Sequence, residues 1–316
     1  MQLIRGQHNL RPSHRGCVAT IGNFDGVHLG HQAVFSRLRE QAARLGLASA
    51  VVIFEPQPAE YFAADRAPAR LTGLRDKLAA LARCRVDRIL CLRFRPALAR
   101  MRPEDFIRQI LVEGLAVRYL AVGDDFRFGA DRAGDFSTLV EAGRSHGFAV
   151  EDTPTVGHDG ERVSSTRVRQ ALRAGDLALA RRLLGRDYRI SGRVIRGDRI
   201  GRSLGFPTAN IDLRGRQPPL RGVFAVRAHG AGPRSLLGVA NVGQRPTVGG
   251  LRELLEVHLF DFSGDIYGRH LEVVFEHWLR DEQRFSSLEA LRAQIARDSD
   301  AAREWFHAKH TGNPAV

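Results

Sequence analysis

The apolar residues of this chain change their spacing once, near residue 185, and that change limits the architectures open to it. Before it, short apolar runs alternate with stretches of helical period. Residues 18–21, 48–54, 86–92 and 117–122 read as strands. Between the first two, residues 31–45 place Val34, Leu38, Ala42 and Leu45 on one helical face. Residues 74–82 also read as helix, and Pro103 opens another, since proline is tolerated in a first helical turn. Residues 48–54 are almost wholly apolar, as suits a strand covered on both faces. Repeated strand–helix units build a parallel sheet with helices on both faces, and ligands gather at the carboxyl ends of its strands. The strings GNFDGVHLGH at 22–31 and GDDFRFG at 123–129 both fall there.

After the change, short alternating runs at 188–195, 222–228, 254–260 and 271–275 are separated by Gly- and Pro-rich turns. Such a pattern predicts a small antiparallel β-barrel. A helix returns over 287–298, with Leu288, Leu291 and Ile295 on one face and Ser286 or Ser287 as its N-cap. The predicted fold is α/β: a Rossmann-like domain with a parallel sheet over 1–186, then a barrel with a terminal helix over 187–316. A length of 316 residues fits two domains at roughly 150 residues each.

A formal net charge of +13 first suggests a nucleic acid partner. Two features argue against one. Of 48 basic residues only Lys77 and Lys309 are lysine, which reads as compositional bias toward Arg. The charge is also spread over both halves, with 29 basic and 21 acidic residues in 1–187 and 19 and 14 in 188–316. Cys17, Cys84 and Cys91 form no C-x-x-C pair, which suits a reducing compartment. There is no apolar run of the ~20 residues that span a bilayer, and the first residues lack an apolar signal core. The expectation is a cytoplasmic protein with no membrane or nucleic acid partner; homo-oligomer formation stays open.

His28 and His31 stand three residues apart at a helix start, behind the glycines Gly22, Gly26 and Gly30. Imidazole donors, backbone N–H groups and the positive end of a helix dipole together suit a polyphosphate. A metal pair or simple capping histidines are the alternatives, and the position after a strand and a Gly-rich turn favours phosphate. Further on, Ser164, Ser165 and Thr166 precede Arg167 and Arg169. One serine caps the next helix, and the hydroxyls with the arginines also make an anion clamp.

GNFDGVHLGH, FEPQPAEYF at 54–62, RLTGLRDK at 70–77, GDDFRFG and VSSTRVR at 163–169 occur in order. This run resembles the FMN adenylyltransferase half of bacterial bifunctional riboflavin kinase/FAD synthetases, of the H-x-G-H nucleotidyltransferase class. The resemblance implies that His28 and His31 contact ATP phosphates. It implies that Gly22, Asn23, Phe24, Asp25 and Gly30 line the nucleotide site, with Ser164, Ser165, Thr166 and Arg169 as its clamp. It places Phe62, Phe106 and Phe128 near a flavin ring, although core packing is the plainer reading, above all for Phe106. Asp125 stands where some relatives carry Asn.

In the second half, the string from Gly197 through Gly201 and Arg202 to Thr208 and Asn210 is a Gly-rich loop with a polar tip. Its glycines let backbone N–H groups approach phosphates. Thr208 and Asn210 offer hard oxygen ligands suited to Mg²⁺. The string, with its P-T-A-N core, resembles the riboflavin kinase signature, as do GVANVGQRPTVGG at 238–250, LEVHLFDFSGDIYG at 255–268 and LRDEQRFSSLEALRAQIARD at 279–298. Glu256 and His258 share a strand face, and the resemblance makes Glu256 the catalytic carboxylate. A carboxylate is unprotonated near neutral pH, as a base must be.

The implied function is two-step: riboflavin and ATP give FMN, then FMN and a second ATP give FAD and pyrophosphate. Another H-x-G-H enzyme acting on RNA is one rival, but there is no K-M-S-K-S-like partner motif. A catalytically inactive flavin-binding regulatory module is the other, but every polar position expected to do chemistry is occupied.

Overall fold

A computed structural model describes residues 1–153, 155–197, 201, 204–247 and 250–312. The chain divides into two compact units, Met1–Pro68 with Lys77–Ser164, and Ala69–Asp76 with Ser165–Val316.

The first unit carries β1 (Gln2–Arg5), β2 (Cys17–Ile21), β3 (Ala48–Glu55), β4 (Arg88–Arg93), β5 (Val117–Val122) and β6 (Ala149–Asp152). They form one sheet in the order β1-β4-β3-β2-β5-β6, and every pair is parallel. The chain moves outward from β2 through β3 and β4, then crosses back to β5 on the other side. β2 and β5 thus flank the topological switch point, where open α/β sheets bind ligands. Val51, Val52 and Ile53 are wholly buried, as the apolar run predicts. Each such side chain contributes roughly 1.5–3 kcal/mol.

The helices here are α1 (Leu29–Leu45), α2 (Pro58–Phe62), α3 (Leu74–Arg83), α4 (Pro96–Ala99), α5 (Pro103–Phe106) and α6 (Phe136–His146). α1 ends on Gly46, whose φ of +64° is the left-handed cap that glycine adopts most readily. The helix opened by Pro103 keeps α geometry for four residues only, then continues as a π-helical run over Ile107–Gly114. The run buries Ile107, Ile110 and Leu111, and core packing of that stripe outweighs the usual i→i−4 bonding. β1 escaped the sequence reading because it is a four-residue edge strand that buries only Ile4. A small hairpin, β7 (Gly157–His158) and β8 (Glu161–Arg162), closes the unit.

The second unit begins with α7 (Ser165–Arg173) and α8 (Leu177–Leu184). Its strands are β9 (Arg189–Ile195), β10 (Thr208–Ile211), β11 (Gly222–His229), β12 (Leu236–Thr247), β13 (Gly250–Leu259) and β14 (His270–Arg280). They close into a barrel in the order β10-β13-β12-β11-β14-β9, with β10 antiparallel to β9 completing the ring. The terminal helix α9 (Leu288–His310) runs beyond the predicted end at 298. Ala302 and Phe306 explain the extension, since both are buried against Val223, Ala225, Val239 and Phe260.

Candidate active sites

In the first unit the chain leaves β2 at its carboxyl end and turns sharply into α1. Phe24, Gly26 and Val27 all hold positive φ, at 45°, 83° and 46°. A left-handed non-glycine residue costs about 1–2 kcal/mol, so two in one turn mark a backbone shaped for more than connection. Gly22 has no room for a side chain without crowding, because a Cβ there would meet the Phe24 ring at 3.0 Å.

His28 is the N-cap of α1 and is buried. Its Nδ1 accepts from the backbone N–H of His31 at 3.4 Å. That bond fixes the tautomer: Nδ1 holds the lone pair and Nε2 carries the proton. The His28 and His31 rings stack at 3.6 Å between centroids, 21° from parallel. The Phe24 ring meets His31 edge-on at 5.2 Å. Gly30 permits this stack, since a Cβ there would lie 3.1 Å from the His28 ring. Burial, then the nearby His28, Lys77 and Arg162, hold His31 well below the usual imidazole range. Its Nδ1 is buried and has no hydrogen-bond partner among the described residues. An imidazole pair at a helix start, with Lys77 and Arg162 nearby, suits an anionic oxygen.

Asn23 is exposed, yet its carbonyl accepts from Lys77 Nζ at 2.5 Å. Asp25 is buried. Asp125 pairs with Arg162 at 3.7 Å, both largely exposed. Ser164 directly precedes α7; Ser165 and Thr166 open it. Arg169 donates from Nε to the Ala69 carbonyl at 2.6 Å.

The three predicted flavin-side phenylalanines differ in environment. Phe106 and Phe128 are buried and pack together at 5.6 Å. Phe62 is 67% exposed. Phe94 connects the set, touching Phe62, Tyr61 and Phe54 at 5.7, 5.4 and 5.9 Å. Phe54 continues to Phe106 at 6.5 Å. An aromatic file therefore runs from surface to core just past β3 and β4.

In the second unit, the register places Asn210 on β10 opposite Glu256 on β13, and Glu256 opposite Asn241 on β12. The next row holds Thr208, His258 and Val239. Two cavities meet at this ladder. One, of about 440 Å³, is lined by Pro207, Thr208, Val257, Phe262 and Tyr267 among others. The other, of about 280 Å³, is lined by Thr208, Asn241, Glu256 and His258, with apolar walls from Val223, Phe285 and Leu291. Thr208 belongs to both. The expected shared face of Glu256 and His258 is thus the wall of one cavity. His258 is held through Nδ1 on the Pro207 carbonyl at 3.0 Å.

A Cβ on Gly197 would lie 2.5 Å from the Asn210 amide, and one on Gly201 would lie 2.4 Å from the Phe206 carbonyl. Both glycines are therefore required by close approach. Arg202 lies outside the described residues. Among the described residues no three His, Cys, Asp or Glu side chains converge on a point that could hold a metal. Thr208 and Asn210 offer neutral oxygens, a donor set that fits Mg²⁺ when substrate phosphates supply the anionic ligands.

Comparison with known proteins joins the two sites. The FAD synthetase family model matches residues 10–167 and the riboflavin kinase model matches 184–306. The bifunctional riboflavin kinase/FMN adenylyltransferase of Escherichia coli K12 is 55% identical over 97% of this chain and 98% of its own length. The chain belongs to that bifunctional family. The Pseudomonas fluorescens member is 57% identical over 96% of this chain and 97% of its own. A crystal structure described as a macrolide-efflux protein from Streptococcus pneumoniae superposes with a TM-score of 0.80 at 28% identity, covering 96% of this chain and all (100%) of that one. No described helix here is long and apolar enough to cross a membrane.

Lys77, Phe94 and Asn241 lie beside predicted site residues, and nothing in the sequence singles them out. Lys77 and Asn241 sit inside quoted motifs, but nothing in one sequence tells a buried lysine from an exposed one. Strand register, which pairs Asn241 with Glu256, is set by tertiary structure.

Proposed function

We propose that this chain phosphorylates riboflavin to FMN in residues 187–316 and adenylylates FMN to FAD in residues 1–186. The observation that carries the kinase assignment is the Thr208 junction, where a cavity of about 440 Å³ adjoins a smaller one that carries Asn241, Glu256 and His258 beside apolar walls from Val223, Phe285 and Leu291. MgATP occupies the larger cavity and the riboflavin ring the smaller. Glu256 accepts the proton of the 5′-hydroxyl as that oxygen bonds to the γ-phosphorus and ADP leaves. Thr208 and Asn210 hold Mg²⁺, which when bound neutralises charge on the phosphates.

In the second step an FMN phosphate oxygen attacks the α-phosphorus of ATP, and the α–β bridge bond breaks to release pyrophosphate. The nucleophile is already ionised, so the protein's task is alignment and charge stabilisation. His28 donates from Nε2 to the phosphate oxygens, and His31 stands stacked behind it. Gly22, Asn23, Phe24, Asp25 and Gly30 shape the nucleotide site, and Ser164, Ser165, Thr166 and Arg169 clamp the phosphates. Phe62 with Phe94 offers an exposed aromatic face to the flavin, backed by Phe106 and Phe128, and Asp125 lies at its rim. The partners are therefore riboflavin, FMN, FAD and ATP, not nucleic acid. Cys17, Cys84 and Cys91 are thiols rather than disulfides, which fits a reducing cytoplasm.

Chromatography of riboflavin incubated with MgATP tests the proposal. FMN should appear first and FAD second. Absence of either product removes the corresponding half of the assignment.

A further inference from the structure

Lys77 is the buried exception in a chain that otherwise uses Arg. Forty-six of its 48 basic residues are Arg, so a lysine retained in the interior marks a position that guanidinium does not fill. The other lysine, Lys309, is 45% exposed and pairs with Glu276. Lys77 is wholly buried (0%), and its Nζ donates to a backbone carbonyl, that of Asn23, at 2.5 Å. A lysine offers a compact ammonium with three donors, whereas arginine offers a wide, flat fork.

The carbonyl it holds belongs to the turn that leads through Phe24 and Gly26 into His28 and His31. That turn contains two non-glycine residues at positive φ, so it needs an external hold to keep its shape. We propose that Lys77 is a positioning residue of the adenylylation site: its ammonium clamps the Asn23 carbonyl and so fixes the turn and the imidazole pair mounted on it. Lys77 has no exposed surface to offer a substrate; it acts through Asn23. Its charge also bears on His31, alongside His28 and Arg162, and the buried Asp25 lies in the same turn. With burial, the nearby His28, Lys77 and Arg162 hold His31 well below the usual imidazole range. This inference rests on the adenylyltransferase reading of the first unit.

The test uses the full-length chain, with Lys77→Met and Lys77→Arg. Three quantities are read: FAD formation from FMN, riboflavin phosphorylation, and the titration of His31 by NMR of ¹⁵N-labelled imidazole. Lys77→Met should lower kcat for FAD formation roughly 10- to 100-fold, the scale of loss from a group displaced by ~1 Å. Riboflavin phosphorylation should be unchanged, and His31 should take up its proton at higher pH. Lys77→Arg should keep the wild-type His31 titration but still form FAD slowly, and it serves as the test if Lys77→Met does not fold. FAD formation at the wild-type rate in either variant overturns the proposal. So does a fall shared equally with riboflavin phosphorylation, or an unmoved His31 titration in Lys77→Met. If the wild-type chain itself makes no FAD, the adenylyltransferase reading has failed instead.

Discussion

Asn210 on β10 and Glu256 on β13 are direct cross-strand partners, so a proposed Mg²⁺ ligand and the proposed base stand side by side on one ladder. Directly opposed side chains lie on the same face of the sheet, with Cβ atoms about 4.5–5.5 Å apart. That spacing would put the proposed proton acceptor within reach of a phosphoryl group held at the proposed Mg²⁺ site.

Glu256→Gln keeps the shape of that ladder and removes the basic oxygen. Riboflavin phosphorylation should fall by about 10²–10⁴-fold, while supplied FMN is still converted to FAD. Separate assays of the two steps on one preparation check this. Loss of both would remove Glu256 from the role of base.

His28→Ala should do the reverse. Without the Nε2 donor, FAD formation should drop about 10²–10³-fold, with riboflavin still converted to FMN. The same change deletes the α1 cap, worth about 1 kcal/mol, so a modest fall in the thermal midpoint of the first unit should accompany it.

Gly197→Ala drives a methyl group into the Asn210 amide, since the Cβ would lie 2.5 Å from it. The Mg²⁺ concentration for half-maximal riboflavin phosphorylation should rise roughly 10-fold. An unchanged Mg²⁺ titration would remove Asn210 from the proposed ligand set.

Asp298 accepts two hydrogen bonds from Arg280, both at 2.8 Å, and the pair is mostly buried. Asp298→Ala leaves the guanidinium uncompensated, which costs about 3–5 kcal/mol. Denaturant unfolding of the barrel should show that loss; Asp298→Asn should lose less.

The buried imidazoles set an acid limit on the first unit. His31 is held well below its usual 6.5 by burial, then His28, Lys77 and Arg162. His14 is lowered as well, by burial, then Arg88 and Arg11. The unfolded chain therefore binds protons that the folded one does not as pH falls below about 6.5. Stability is full above that pH and declines beneath it. Thermal midpoints at about pH 7.5 and 5.5 should differ more in the wild type than in His31→Gln; an equal difference would show that His31 is not the group responsible.

Much of the fold was legible because period is a local property. The almost wholly apolar run at 48–54 and the alternation after 188 each announce one kind of sheet. β1 was not legible, since one buried residue in four has no period. Neither was the π-helical run, whose apolar spacing reads as an ordinary helix. At the sites, His28, His31, Glu256 and Thr208 stand out as residue types in motifs. Lys77 and Phe94 acquire meaning only from what surrounds them, an Asn23 carbonyl in one case and a file of rings in the other.

β10 is four residues long and is the strand that meets both β9 and β13. It also carries Thr208 and Asn210. Sealing the barrel and completing the proposed magnesium site are therefore one event. A chain with that seam unzipped would lose its metal-binding power at once, so titrating Mg²⁺ in the presence of ATP should lock the seam shut. The kinase half would then report its own integrity through the ion proposed for it.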